Sequence, residues 1–303
     1  MITDLEKSIY RTIAYFAYFG YPLTSFEVWK WMLRPGQRYR LDDVVRALGS
    51  SEWLQNQIES QSGFFGLSGN YGNVGDQVRM RHARFLNAVD KYKKLRRLLN
   101  FLTRIPQVRA IALCNTLAFH YTKPESDIDL FIITDKDRVW TARLLAVTPL
   151  RLMRQRPGEA GRDAVDVSFF ADPTAFGFEA LKIDNSDPYL SMWIRALVPV
   201  FERQPGVFED FMLQNPWAAR DLPNAKLRQR SFQARFRSKW RLPYLPISER
   251  MAESLQSKLM PDDLSGRANE DTCVVVRNNL LKFHKNDRRA EIASALRDRM
   301  RIC

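Results

Sequence analysis

The sequence predicts an α+β protein: a mixed sheet with flanking helices, a small helical module with a hairpin before it, and a helical C-terminal region after it. Three observations predict this. The run Ile128 to Ile133 is short, β-branched and aromatic, the pattern of a buried strand, and the apolar run Val108 to Leu113 precedes it. Ala164 to Ala171 sets Val165, Val167 and Phe169 against Asp166, Ser168 and Phe170, an alternation with the two-residue period of a strand. On both sides of these runs, apolar residues recur at helical spacing.

The totals bound the possibilities. A chain of 303 residues with 45% hydrophobic residues can bury more than one core. Its net charge of +13 favours polyanionic partners such as nucleotides or nucleic acid. Three dispersed cysteines, Cys114, Cys273 and Cys303, argue against a disulfide framework and suit a reducing cytoplasm. Three histidines without ligand spacing argue against structural zinc. The first residues lack the pattern of a signal peptide, and no apolar run is long enough to span a membrane, so no membrane partner is expected.

From the N-terminus, Leu5, Ile9, Ile13 and Phe16 predict a helix over 4–18. Thr24-Ser25-Phe26-Glu27 forms a capping box for a helix running to about Leu33, which Pro35-Gly36 ends. A third helix covers Leu41 to Leu48. Gln57 to Gln61 and Phe64 to Leu67 read as a hairpin around Ser62-Gly63. Three helices and a hairpin in residues 1–72 resemble a winged helix. The resemblance implies DNA contact through the third helix and the wing; a docking or dimerisation module has the same pattern, and Asp42-Asp43 opens the third helix with charges unsuited to phosphate. Residues 73–103 read as a connecting helix whose apolar stripe (Val78, Leu86, Val89, Leu99) is flanked by a solvated basic face that includes Lys91, Lys93 and Lys94.

The stretch that follows carries the chemistry. The first strand meets a small polar corner, Cys114-Asn115-Thr116. Ten residues on, Ser126-Asp127-Ile128-Asp129 opens the second strand and puts two carboxylates on one face. Such a pair repels and resists desolvation, which a hard cation relieves. This pattern resembles the nucleotidyltransferase superfamily that includes DNA polymerase β: an apolar strand, Gly-Ser, a spacer, Asp-x-Asp, and a third acidic residue on a later strand. Asn115 stands where that family has Gly, and Thr116 where it has Ser. Asp166 is the candidate third carboxylate, with Asp163 as its rival nearer the loop. The resemblance implies a nucleotidyltransferase core over 104–216 in which Asp127, Asp129 and Asp166 are catalytic and hold Mg²⁺ (or Mn²⁺). It implies that Asn115 and Thr116 contact the phosphates of an NTP. Ser126 adds a hydroxyl near the metal or caps the turn.

Between these strands, Arg138 to Arg156 reads as a helix kinked or split at Pro149, and Pro188 to Phe201 and Gly206 to Gln214 as covering helices. Residues 217–303 form a basic connector and C-terminal helices. Arg220 to Arg241 interleaves cations with Phe232, Phe236 and Trp240, which suits either a wrapping loop or a nucleic-acid track. Ser248 caps a helix to Met260. In the tail, Lys282, Lys285, Arg288 and Arg289 could reach phosphates, while Asn286 or Asp287 opens a last helix. The whole arrangement resembles bacterial nucleotidyltransferase-domain proteins with an N-terminal winged helix. The expected activity is Mg²⁺-dependent transfer of a nucleoside monophosphate from an NTP to a hydroxyl on a small molecule, protein or RNA end. The alternative is a catalytically degenerate regulator that binds nucleotide or nucleic acid.

Overall fold

The computed structural model describes residues 2–228, 241–284 and 287–300. Helix α1 (Asp4–Ala17) opens on a reciprocal cap between Thr3 and Glu6. Strand β1 (Leu23–Thr24) leads into α2 (Ser25–Lys30), where the expected Thr24–Glu27 box forms with amide contacts of 3.0 and 3.3 Å. Helix α2 stops at Lys30, short of Leu33. After α3 (Leu41–Ser50) comes a helix absent from the sequence reading, α4 (Glu52–Gln57), capped by Ser51. The hairpin β2 (Glu59–Gln61) and β3 (Phe64–Gly66) joins β1 in an antiparallel sheet of order β1-β3-β2.

Helix α5 (Val74–Leu102) starts at an Asn73 cap and buries Ala88, Tyr92, Leu95, Leu99 and Leu102 against the main sheet. Lys91 belongs to this buried face, only 1% exposed, and not to the solvated one. It lies three residues after Ala88 and four before Leu95, which puts it on the inward stripe.

The remaining elements build and cover a six-stranded mixed sheet of order β7-β4-β5-β6-β9-β8. They are β4 (Val108–Leu113), α6 (Asn115–Ala118), β5 (Ile128–Thr134), α7 (Val139–Leu152), β6 (Val165–Ala171), α8 (Pro188–Ala196), β7 (Val198–Glu202), α9 (Val207–Leu213), α10 (Pro216–Asp221), α11 (Glu249–Lys258), α12 (Asp262–Ser265), β8 (Val274–Arg277), β9 (Leu280–Phe283) and α13 (Arg289–Met300). Strands β5 and β6 run parallel; β4 is antiparallel to β5 and β7, and β9 to β6 and β8. Helices α5, α7 and α11 cover one face; α8, α9 and α10 cover the other. Pro149 lies inside α7 without dividing it.

Two expectations fail here. The helix expected over Pro188 to Phe201 ends at Ala196, and Val198 to Glu202 becomes edge strand β7. Pro199 lacks the amide a helix needs, whereas an edge strand tolerates it. The region over 217–303, read as a basic connector with C-terminal helices, supplies the hairpin β8–β9 as well, which adds two strands to the free side of β6. A third core joins α1 and Trp31 to Tyr121, Met192, Ala196, Leu222 and Ile292, so the N-terminal module packs on the sheet-bearing part. Among the described residues, no helix is long and apolar enough to cross a membrane.

Candidate functional site: a carboxylate cluster beside a left-handed corner

Asp129, second in β5, pairs in parallel register with Asp166, second in β6, so both side chains leave the sheet on one face. Asp127 immediately precedes β5. All three keep partial solvent exposure where their strand neighbours Ile128, Leu130, Val165 and Val167 are buried. Beyond the pair the register slips: Phe131 faces Phe169, two residues along β5 but three along β6. This bulge corrects the simple alternation of β6. It turns Phe169 to the face of Phe131, and Phe170 to the opposite core.

The carboxylates disturb one another. Burial, then the neighbouring Asp166 and Asp127, hold the Asp129 carboxyl well above the usual carboxylate range, although the Asn115 side chain bonds to it and opposes the shift. Burial pushes Asp166 up to about 6, partly offset by bonds from the Ser168 hydroxyl and amide. Burial raises Asp127 as well, against the pull of Lys91. Among the described residues, none of the three forms an ion pair with a Lys or Arg.

Lys91 is the residue that sequence reasoning missed. Its ammonium donates to the carbonyls of Pro124 (3.2 Å) and Ser126 (2.7 Å) and to the Asp163 carboxylate (2.5 Å). It thereby ties the turn before Asp127 to the loop before β6. Lys94 donates to the Asp163 carbonyl at 2.9 Å. Asp163, the rival third carboxylate, is thus engaged in an ion pair outside the Asp127–Asp129–Asp166 group. The Ser126 hydroxyl accepts the Lys123 amide at 3.0 Å, so it caps the turn, the second of its two expected roles.

At the corner, Asn115 has a left-handed backbone (φ +52°), the conformation Asn bears better than most residues. It opens α6, and its Oδ1 accepts the Tyr189 hydroxyl at 3.4 Å. Thr116 is exposed. The corner is flanked by two cavities. One, of about 100 Å³, is walled by aromatic rings, among them Tyr15, Phe16, Phe119, Tyr121 and Trp193. The other, of about 170 Å³, lies towards Lys282, His284 and Arg288. Lys282 bonds to the Thr272 carbonyl at 2.5 Å, and Arg289 to Asp187 at 3.0 Å and Asp287 at 2.7 Å; these two cations hold the tail in place. Lys285, Asn286, Phe232, Phe236 and Trp240 lie outside the described residues.

The donor set, three carboxylates without a protein cation, has the hard-oxygen chemistry that suits Mg²⁺. Among the described residues, no group of three or more His, Cys, Asp or Glu side chains is already spaced as a metal cage. No family model matches the chain, and neither does any curated protein or solved structure.

Proposed function

We propose that this protein is a nucleotidyltransferase that moves a nucleoside monophosphate from an NTP to a hydroxyl acceptor. The observation that carries the reading is the register of Asp129 opposite Asp166, with Asp127 in electrostatic reach and, among the described residues, no Lys or Arg ion-paired to any of the three. Two half-buried carboxylates side by side repel each other and lower stability until a cation binds between them. In this reading Asp127, Asp129 and Asp166 hold Mg²⁺ or Mn²⁺. That ion, when bound, supplies neutralising charge for the triphosphate and the departing pyrophosphate. Asn115 and Thr116 orient the phosphates at the turn into α6. The Asp166 carboxylate takes the proton of the acceptor hydroxyl, and Ser168 keeps that carboxylate in place. The N-terminal module, four helices with a three-stranded sheet, is read as a winged helix that docks or positions the acceptor.

A second reading has its own support. The Asn115 side chain fills the corner, bonded to both Tyr189 and Asp129, and the carboxylates are not preset as a cage. A degenerate regulator that binds nucleotide without transferring it would tolerate both.

Calorimetry with Mg-ATP and Mg-GTP, on wild type and Asp129→Asn, tests the nucleotide site. Binding by wild type that Asp129→Asn abolishes is expected; equal binding by both, or none by either, removes the reading. Asp166→Asn separates enzyme from binder: it should leave NTP affinity nearly intact and lower transfer about a thousandfold, equivalent to about 4 kcal/mol. A wild type that binds NTP but labels no acceptor in cell extract selects the regulator.

A further inference from the structure

On the far side of Phe119 from the Asn115 corner lies an open groove of about 350 Å³, used by none of the chemistry above. Phe119 and Tyr21 wall both this groove and the aromatic cavity beside the corner. Two cations project into the groove without an ion pair of their own among the described residues. The Lys30 ammonium lies 4.8 Å from the Trp31 ring centroid, and the Arg228 guanidinium 5.3 Å from the same ring and 5.7 Å from Phe119. Arg228 donates to the Ala118 carbonyl at the end of α6, and its Nε is buried without a partner. The one carboxylate in the groove, Glu27, is taken by Arg81 in a two-point pair of 2.7 and 2.8 Å. Residues 229–240 contain no Asp or Glu that could serve instead. Burial first, then repulsion from Arg228, lowers the affinity of Lys30 for its proton, against the weaker pull of Glu27. With Glu27 already bound to Arg81, two such cations side by side attract a further anion.

The walls add a second kind of chemistry. Phe26 and Phe85 are 50% and 49% exposed, large rings left open to water. Phe85 heads a stack of Phe85, His120 and Tyr92, with centroids 5.7 and 5.1 Å apart and planes within 29°. Unpaired cations beside exposed, stackable rings match phosphates and unstacked bases of a single strand; a duplex hides its base faces, and a lone phosphate has no use for the rings.

We infer that this groove binds single-stranded nucleic acid, with a phosphate between Lys30 and Arg228 and a base against Phe85. The groove begins where α6 ends, three residues after Asn115, so a strand lying in it can lead its terminal hydroxyl to the carboxylates. That last role, acceptor of the transferred nucleotide, rests on the transferase reading; the binding itself does not.

Fluorescence anisotropy with end-labelled single strands of about ten nucleotides, without NTP or divalent ion, tests it. Lys30→Glu and Arg228→Gln should each weaken binding at least tenfold. Each should also reduce the slope of log affinity against log salt by about 0.7, the value for one lost phosphate contact on a single strand. Phe85→Ala should weaken it about tenfold. Arg79→Gln, which removes an exposed cation already paired with Asp76, should change it less than twofold. No binding by wild type at low salt, equal affinity for the matching duplex, or unchanged binding by Lys30→Glu overturns the inference. Lys30 is half-buried at the end of α2, so its variant stands as the test if Arg228→Gln melts early. Strand binding without Mg-NTP binding in calorimetry would remove the transferase reading alone; NTP transfer without strand binding would remove this one alone.

Discussion

At Asn115 the backbone stands at φ +52°, a conformation that costs most residues with a Cβ about 1–2 kcal/mol. Asn115→Gly should therefore leave thermal stability nearly unchanged and, by opening the corner, bind Mg-NTP at least as tightly as wild type. Asn115→Val should lose about 1–2 kcal/mol and the nucleotide with it. Calorimetry of both variants, with and without nucleotide, reads each effect. Lys91 and Asp163 make a sharper contrast. The lysine side chain is 1% exposed and the aspartate 27%. Asp163→Asn leaves a buried ammonium bonded to carbonyls with no carboxylate in direct contact, at a cost of about 3 kcal/mol. Lys91→Met leaves a carboxylate that can turn towards water, so it should cost less. Urea unfolding of the two variants gives the order; a larger loss for Lys91→Met would show that the lysine matters mainly by tying the two loops together.

Among the elements, the hairpin β8–β9 adds its own dependence of stability on pH. His284 follows β9 and sits edge-on to Phe169 at 6.2 Å. Burial first, then the charge of Lys282, lowers its pKa from 6.5 to about 4. The folded state thus resists a proton that the unfolded chain accepts. Stability from this group is complete above pH 6.5 and falls as pH drops towards 4, by roughly 3 kcal/mol in all. Asp287 acts in the same direction lower on the scale. Bonds from Arg289 outweigh its burial and hold its carboxyl well below the usual range, so its contribution is lost as pH falls below about 4. The raised carboxyls of Asp129 and Asp166 act in the opposite sense, gaining stability as pH falls through about 6, so the readout for His284 is a difference: between pH 7.5 and 4.5 the melting temperature of wild type should fall relative to that of His284→Phe. Parallel curves would mean that His284 is solvated or protonated in the fold.

Over the whole molecule, the N-terminal module and the sheet share a core rather than touch at a rim. Ile9, Phe16, Leu23 and Trp31 pack in one cluster with Tyr121, Met192, Ala196, Leu222, Ala225 and Ile292, and the Tyr121 hydroxyl donates to the Gly20 carbonyl at 2.5 Å. Arg34 adds a two-point pair to Asp221 at 2.8 and 2.9 Å. A fragment that begins at residue 104 would expose that apolar surface to water. Scanning calorimetry should show one cooperative transition for the full chain, and the fragment should precipitate or bind hydrophobic dyes. Two well-separated transitions would show that the module unfolds by itself.

Local chemistry made part of this protein legible from its residues. The strand Ile128 to Thr134, the capping box of α2, and the left-handed tolerance of Asn115 depend on neighbours a few positions apart, and the sequence displays those neighbours. So does the approach of Asp166 to Asp129, once two adjacent strands each carry a polar residue in second place. Five features depend on residues distant along the chain. Strand β7 forms because β4 offers Pro199 an edge, and β8–β9 because β6 has a free side. The bulge after Asp166 arises from register between strands, which alternation within β6 cannot reveal. Lys91 is buried because Asp163 and two carbonyls of another loop meet its charge; by composition alone it belongs with the exposed lysines around it. The cations of the Lys30–Arg228 groove, 198 positions apart, become one site only when folding places both against Trp31. A sequence records the charge and apolarity of each side chain, but whether a charge meets water, a partner or another charge is set by contacts that only the folded chain makes.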